Sequence, residues 1–191
     1  MNASDVIDET IASHLETVER LRTACSSEIA EMARLTIDCL RAGHKICFFG
    51  NGGSAADAQH LATEIVVRYT RNRRGLPSLA FTTDTSVMTA CANDFGYDEI
   101  FARQVEALCR PGDIVVGIST SGTSRNVVRG LEQARSQSVT AFAFTGENPG
   151  PCGEQASRVL AVPSSITARI QECHIIAGHL LCDLAEAALA E

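Results

Sequence analysis

The chain of 191 residues has a formal net charge of −7, with 45% hydrophobic and 20% charged residues. This composition is ordinary for a globular protein, and we expect residues 1–191 to form a single domain. The acidic balance argues against a nucleic-acid surface. No apolar run is long enough to span a bilayer, and the acidic residues 1–10 are not a signal peptide, so we expect a cytoplasmic protein without membrane contact.

Residues 4–42 are predicted to form two helices in front of the rest of the chain. They contain neither Pro nor Gly, and apolar residues recur at helical spacing in two stripes, one over residues 7–21 and one over residues 29–40. Gly43, preceded by a basic residue two positions earlier, is typical of a helix end.

After this segment, short apolar runs alternate with helical patterns. This alternation predicts a parallel sheet covered by helices on both faces, a three-layer α/β/α sandwich with five strands. Ligands of such sheets bind outside the carboxyl ends of the strands. The strands are predicted at 45–49, 78–82, 113–118, 139–144 and 158–162, and the helices at 53–69, 85–92, 98–109, 124–136 and 167–189.

A glycine-rich turn, Gly50–Ser54, follows the first apolar run and opens a helical pattern. Its glycine spacing matches neither the dinucleotide fingerprint nor a P-loop. A tight strand-to-helix turn is the simplest interpretation, but three glycines in four residues favour close approach of a ligand to the backbone. One turn of helix separates His60 from Glu64, which places both side chains on one face, with metal-binding or acid/base potential.

The third apolar run ends in a loop with five hydroxyl groups, Ser119–Ser124. A helix cap needs only one of them. The excess, together with free backbone amides at a helix start, favours binding of a phosphate.

Other polar residues have simpler interpretations. Residues 93–96 are typical of a turn, and Arg68 either complements the end of a helix or reaches a phosphate. His179, in an apolar stretch, is consistent with a buried histidine whose ring nitrogens are paired. Arg71, Arg73 and Arg74 are interpreted as solvated loop charges. The eight cysteines, without a CxxC pair, are interpreted as small buried residues in a reducing compartment.

Taken together, these motifs resemble the sugar isomerase (SIS) domain, and more closely the phosphoheptose isomerase family. The resemblance covers nearly the whole chain. The matching segments are GNGGSAADAQH at 50–60 with Glu64, Arg68-Tyr69, TTDTS at 82–86, NDFGYD at 93–98, ISTSGTS at 118–124, FTGENPG at 144–150, and TARIQE with two later histidines over 167–179.

The resemblance implies an isomerase that converts D-sedoheptulose 7-phosphate to D-glycero-D-manno-heptose 7-phosphate through an enediol or enediolate. It implies one Zn²⁺ per subunit and a homotetramer in which residues 4–42 are the oligomerisation segment. Glu64 and His179 correspond to the acid/base pair. The metal ligands correspond to His60, Glu64, Gln171 and His179. The substrate contacts correspond to Asn51, Gly52, Gly53, Glu64, Arg68, Asn93, Asp94, Ser119, Thr120, Ser121, Ser124 and Gln171.

Two alternatives to the enzyme remain at this stage: a non-catalytic SIS scaffold resembling the replication-initiator-associating proteins, and a sugar-phosphate sensor. The metal set also raises a geometric question, because an eight-residue step on a helix separates Gln171 from His179 by about 12 Å. Either the side chains lean together, or Gly178 marks a distortion, or one ligand comes from a neighbouring subunit.

Overall fold

The structure, a computed structural model, describes residues 2–190. It contains one five-stranded sheet in the order β2-β1-β3-β4-β5, and every pairing is parallel. The strands are β1 (Ile46–Gly50), β2 (Ser78–Ala80), β3 (Ile114–Ser119), β4 (Thr140–Thr145) and β5 (Arg158–Ala161). The helices are α1 (Ala3–Arg41), α2 (Gly53–Val66), α3 (Thr85–Phe95), α4 (Ile100–Leu108), α5 (Arg125–Ser136), α6 (Gly150–Gln155) and α7 (Thr167–Leu189), with a 3₁₀-helix at Tyr97–Glu99.

The neighbouring strands β1 and β3, both inside the sheet, are buried along their whole length. They pair from Ile46 with Ile114 to Gly50 with Ile118. The chain leaves β1 towards one edge of the sheet and β3 towards the other. A crevice therefore opens between the loops that follow these two strands, which is where open parallel sheets bind ligands.

Helices cover both faces of the sheet, which confirms the predicted three-layer α/β/α architecture. On one face α1, α2 and α7 pack around residues such as Met32, Leu61 and Ala177. On the other, α3 to α6 pack around Phe49, whose ring stacks on that of Phe101 at 5.0 Å. No helix within residues 2–190 is long and apolar enough to cross a membrane.

The N-terminal segment is helical, as expected, but its two stripes lie on one unbroken helix of 39 residues. No helix-breaking residue separates them, and the buried Cys25 continues the line from Leu21 to Ile29 at steps of four. From Thr17 onwards this line faces the core. Before it, the apolar side chains on α1 are exposed.

One local prediction is wrong and one short element escaped prediction. Residues 93–95, expected in a turn, form the last turn of α3, which ends at Gly96 with a φ of 94°. The short helix α6 was not predicted; its start packs on the loop that follows β3, where the amide of Cys152 donates to the carbonyl of Gly122. The cysteines agree with expectation, because all eight are buried and free.

Candidate active site

The turn after β1 is held in a close-packed conformation. A Cβ atom on Gly50 would lie 2.8 Å from the carbonyl oxygen of Ile118, so only glycine fits at the end of β1 beside β3. Asn51 exchanges two amide hydrogen bonds of 2.8 Å with the buried Asn126 on α5. The hydroxyl of Tyr97 also donates to Asn51 Oδ1, at 3.2 Å. Asn51 therefore braces the crevice between the β1 and β3 loops.

The hydroxyl loop after β3 lies across that crevice. Ser119 Oγ donates to Ser124 Oγ at 2.9 Å and lies 3.4 Å from Ser121 Oγ. Ser121 Oγ in turn accepts from the amide of Thr123. Ser124 precedes α5 without making a side-chain capping bond. The hydroxyls thus converge on one another at a helix N-terminus, an arrangement suited to an anion.

A cavity of about 220 Å³ opens beside this loop. Thr120 and Ser121 line one side, and Ser164, Ser165 and Thr167 at the start of α7 line another. These last three hydroxyls were not predicted as site residues, because their only signal in the sequence is their position after the carboxyl end of β5. The cavity is therefore lined by hydroxyl groups on two sides.

The histidine cluster lies further along α2 and α7. His60 Nε2 is 2.7 Å from His179 Nε2 and 3.6 Å from Glu64 Oε1. Burial lowers the pKa of His179, and the neighbouring His60 lowers it further, which favours the neutral ring. The Tyr69 ring lies 5.1 Å from the His179 ring. His179 is therefore a half-buried partner of His60 and not a core histidine.

Two imidazole nitrogens and a carboxylate are donors that Zn²⁺ prefers. Within residues 2–190, no three His, Cys, Asp or Glu side chains are arranged as a finished metal site, because His60 and His179 point at each other. Nitrogens at about 2.0–2.1 Å from a tetrahedral zinc lie roughly 3.3 Å apart, so the two rings have to part by roughly 0.6 Å. The two imidazoles and the Glu64 carboxylate are therefore suitable zinc ligands once the rings have moved apart by this small distance.

Gln171 is not part of this cluster. A Cβ on Gly53 would lie 2.3 Å from Gln171 Nε2, so the side chain rests against the first residue of α2. α7 is unbroken at Gly178, where a Cβ would lie 2.5 Å from Leu61. Gly178 thus lets α7 approach α2 and does not distort the helix.

The remaining candidates lie around the crevice without converging. Gly52 has a φ of 57° and precedes α2, and Arg68 is exposed just beyond the end of that helix. Asn93 and Asp94 are exposed and bonded to each other at 2.8 Å. Apart from Tyr97 nearby, no described hydrogen bond ties this end of α3 to the β1 loop.

Arg73 corrects the interpretation of the loop arginines. Its side chain is only 3% exposed and lies 3.8 Å from Glu186, whose side chain is 0% exposed. Arg71 and Arg74 are exposed, as expected. The burial of Arg73 could not be predicted from the sequence, because its partner Glu186 lies more than a hundred residues away, on α7.

Comparison with known proteins identifies close relatives. Residues 11–146 match the family model of the SIS domain. The chain is 52% identical to the phosphoheptose isomerase of Paramagnetospirillum magneticum over 190 residues, which cover 100% of this chain and 99% of that protein. Phosphoheptose isomerase from Neisseria gonorrhoeae has a TM-score of 0.91 and 37% identity, covering 97% of this chain and 100% of that one. For the Francisella tularensis enzyme the TM-score is 0.94 and the identity 33%, covering 98% and 100%.

Proposed function

The chain belongs to the phosphoheptose isomerase family of SIS-domain proteins and is an isomerase, and on that basis we propose that it converts D-sedoheptulose 7-phosphate to D-glycero-D-manno-heptose 7-phosphate. The reaction moves a carbonyl group between C1 and C2 through an enediol or enediolate. The observation that carries the proposal is the pairing of an anion-binding loop with a His/Glu cluster on adjacent helices.

In this proposal the hydroxyl loop anchors the phosphate. Ser119, Ser121 and Ser124 donate to its oxygens, and the N-terminus of α5 contributes the positive end of its dipole. Asn51 keeps the opposite wall in place through Asn126. Anchoring the unreactive end fixes the reacting carbons without taking part in the chemistry, which is how remote binding energy assists a reaction.

Proton transfer falls to Glu64 and His179. Glu64 Oε1 removes the proton next to the carbonyl group and returns it to the adjacent carbon. His179 exchanges a proton with the substrate oxygens while its ring is free of the ion, because a nitrogen bound to Zn²⁺ carries no proton. One Zn²⁺ per subunit, held by His60, Glu64 and His179, would polarise those oxygens as a Lewis acid. Gln171 completes the ligand set by rotating away from Gly53 or by reaching in from a neighbouring copy.

We further propose a cytoplasmic homotetramer that supplies heptose biosynthesis. The support is the uncovered apolar side of α1, where Ile7, Ile11 and Leu15 are 57%, 53% and 63% exposed. Exposed apolar stripes of this kind mark interaction surfaces.

The test is to offer the purified protein sedoheptulose 7-phosphate and to follow aldose formation with and without a chelator. Chelation should abolish turnover, and added Zn²⁺ should restore it. Glu64→Gln keeps the side-chain volume but removes the charge, so turnover should fall by at least about 10²-fold. Glu106→Gln, on the exposed face of α4, is the control and should behave as wild type.

A folded Glu64→Gln variant with near-normal activity would overturn the mechanism. A wild-type protein that is inert towards heptose phosphates but binds a partner protein would instead support the scaffold alternative.

A further inference from the structure

The carboxylate of Glu186 is completely buried near the end of α7. Its Oε2 accepts hydrogen bonds from the amides of Tyr69 and Thr70, at 3.1 and 2.9 Å, and its Oε1 accepts from the amide of Arg71 at 2.8 Å. Three consecutive amides surrounding one anion form a nest. Glu186 thereby fixes the backbone of the loop that follows α2.

Arg73 extends this anchor to the end of α2. Besides facing Glu186, its guanidinium donates to the backbone carbonyl of Glu64 at 2.8 Å and to that of Arg74 at 3.0 Å. Carbonyl groups in the last turn of a helix have no partner within the helix. Arg73 supplies a hydrogen-bond partner to such a carbonyl group at Glu64, the proposed base.

The same loop reaches the second acid/base residue through Tyr69. The Tyr69 amide is held by Glu186, and its ring lies at 36° to the His179 ring, 5.1 Å away. One buried carboxylate is therefore connected to Glu64 through Arg73 and to His179 through Tyr69.

A buried ion pair is a poor means of stabilising a fold, since apolar residues of similar size often serve as well or better. Here the pair connects two residues of one reaction centre. We propose that Glu186 and Arg73 are positioning residues that hold Glu64 and His179 in register for proton transfer; this inference rests on the proposed isomerase function.

The first test is Glu186→Gln, which keeps the side-chain length but removes the charge. The phosphate loop is not touched, so KM should change little, whereas kcat should fall by at least about ten-fold, because small misplacements of reacting groups are costly. The matched control is Asp113→Asn. Asp113 is also a buried carboxylate. It accepts hydrogen bonds from two backbone amides and pairs with the cation of Lys45, but it lies at the amino-terminal edge of the sheet.

Asp113→Asn should lower stability without lowering kcat. If both variants lose kcat in proportion to lost stability, or if Glu186→Gln keeps its kcat, the positioning role is overturned. A double variant, Glu186→Gln with Arg73→Met, guards against misfolding caused by an unpaired buried charge. The kcat of the double variant should stay low even if its stability is restored. If kcat and stability recover together, Glu186 and Arg73 have only a structural role.

A spectroscopic readout separates this inference from the function on which it rests. The chain has no Trp and two Tyr residues, so in a Tyr97→Phe background Tyr69 is the only residue that fluoresces when tyrosine is excited selectively. Glu186→Gln should make Tyr69 more accessible to acrylamide, and Asp113→Asn should leave quenching unchanged. Unchanged quenching in Glu186→Gln overturns the anchor. If quenching of Tyr69 rises in Glu186→Gln but the wild-type protein is inert towards heptose phosphates, the anchoring role of Glu186 is supported and the proposed substrate is wrong.

Discussion

Ser121 illustrates how a single hydroxyl can be assigned to ligand binding or to local structure. Its Oγ accepts from the amide and the hydroxyl of Thr123, at 3.2 and 3.0 Å, and lies at the mouth of the hydroxyl-lined cavity. A turn alone explains the first contacts. The cavity explains why the side chain also faces open space.

Ser121→Ala should therefore weaken substrate binding. Loss of one charge-assisted hydrogen bond costs roughly 1.5–3 kcal/mol, which corresponds to about a ten-fold or greater rise in KM. Steady-state kinetics measures the change, with Ser136→Ala as the control, because Ser136 bonds only its own helix, at Gln133. A rise below about two-fold would leave the loop as a helix cap and no more.

Individual residues also show where sequence reasoning ends. Spacing predicted that His60 and Glu64 share one face of a helix, and the family resemblance implied that His179 joins them; the structure brings the three side chains together. Neither spacing nor resemblance predicted that Gln171 rests on Gly53, because contact between two helices is set by packing across the fold. Their use as ligands and acid/base groups stays a prediction.

At the scale of elements, apolar runs were sufficient to locate all five strands, since buried parallel strands leave continuous hydrophobic segments. Short elements escaped prediction. α6 has six residues and begins beside Pro149 and Gly150, so composition indicates only a turn there. The interruption expected within α1 is absent because nothing at Cys25 breaks the helix.

α1 carries the prediction for assembly. Ile11 and Leu15 lie one turn apart and are exposed beyond the part of the helix that packs on the core. Replacing both with Gln should dissociate the proposed homotetramer, because the subunit interface would lose its apolar contact while the fold of each chain keeps its core. Analytical ultracentrifugation measures the result.

The control for this experiment is Leu108→Gln, at the end of α4, where an apolar side chain is 46% exposed but lies outside the stripe. It should not alter the mass of the assembly. If wild type is itself a stable monomer at micromolar concentration, the oligomerisation role of α1 is wrong.

Acid sensitivity belongs to the whole molecule, because it is measured as the free energy of unfolding. His174 is completely buried, its Nε2 donates to the carbonyl of Thr145 at 3.1 Å, and its Nδ1 has no hydrogen-bond partner. Burial lowers the pKa of His174 to about 4. The unfolded chain, with an ordinary histidine pKa of about 6.5, binds the proton more tightly.

Stability from this residue is therefore complete above about pH 6.5 and is lost as the pH falls towards 4. Between pH 7.5 and 5, wild type should lose about 2 kcal/mol more than His174→Gln does. Urea unfolding at fixed protein concentration gives both values. Equal losses in the two proteins would show that His174 does not titrate in this range.

The packing of α1 has a consequence for how the protein is made. α7 is the element that α1 contacts most, and His14 bonds to Glu172, which follows it by 158 residues. At about 5–20 residues per second, a ribosome needs roughly 8–30 s to add that stretch. During this time α1 has been synthesised, but α7 is not yet there to cover its core-facing side. This half of the core can close only after translation has delivered α7, so this face is the last part of the domain to complete its folding.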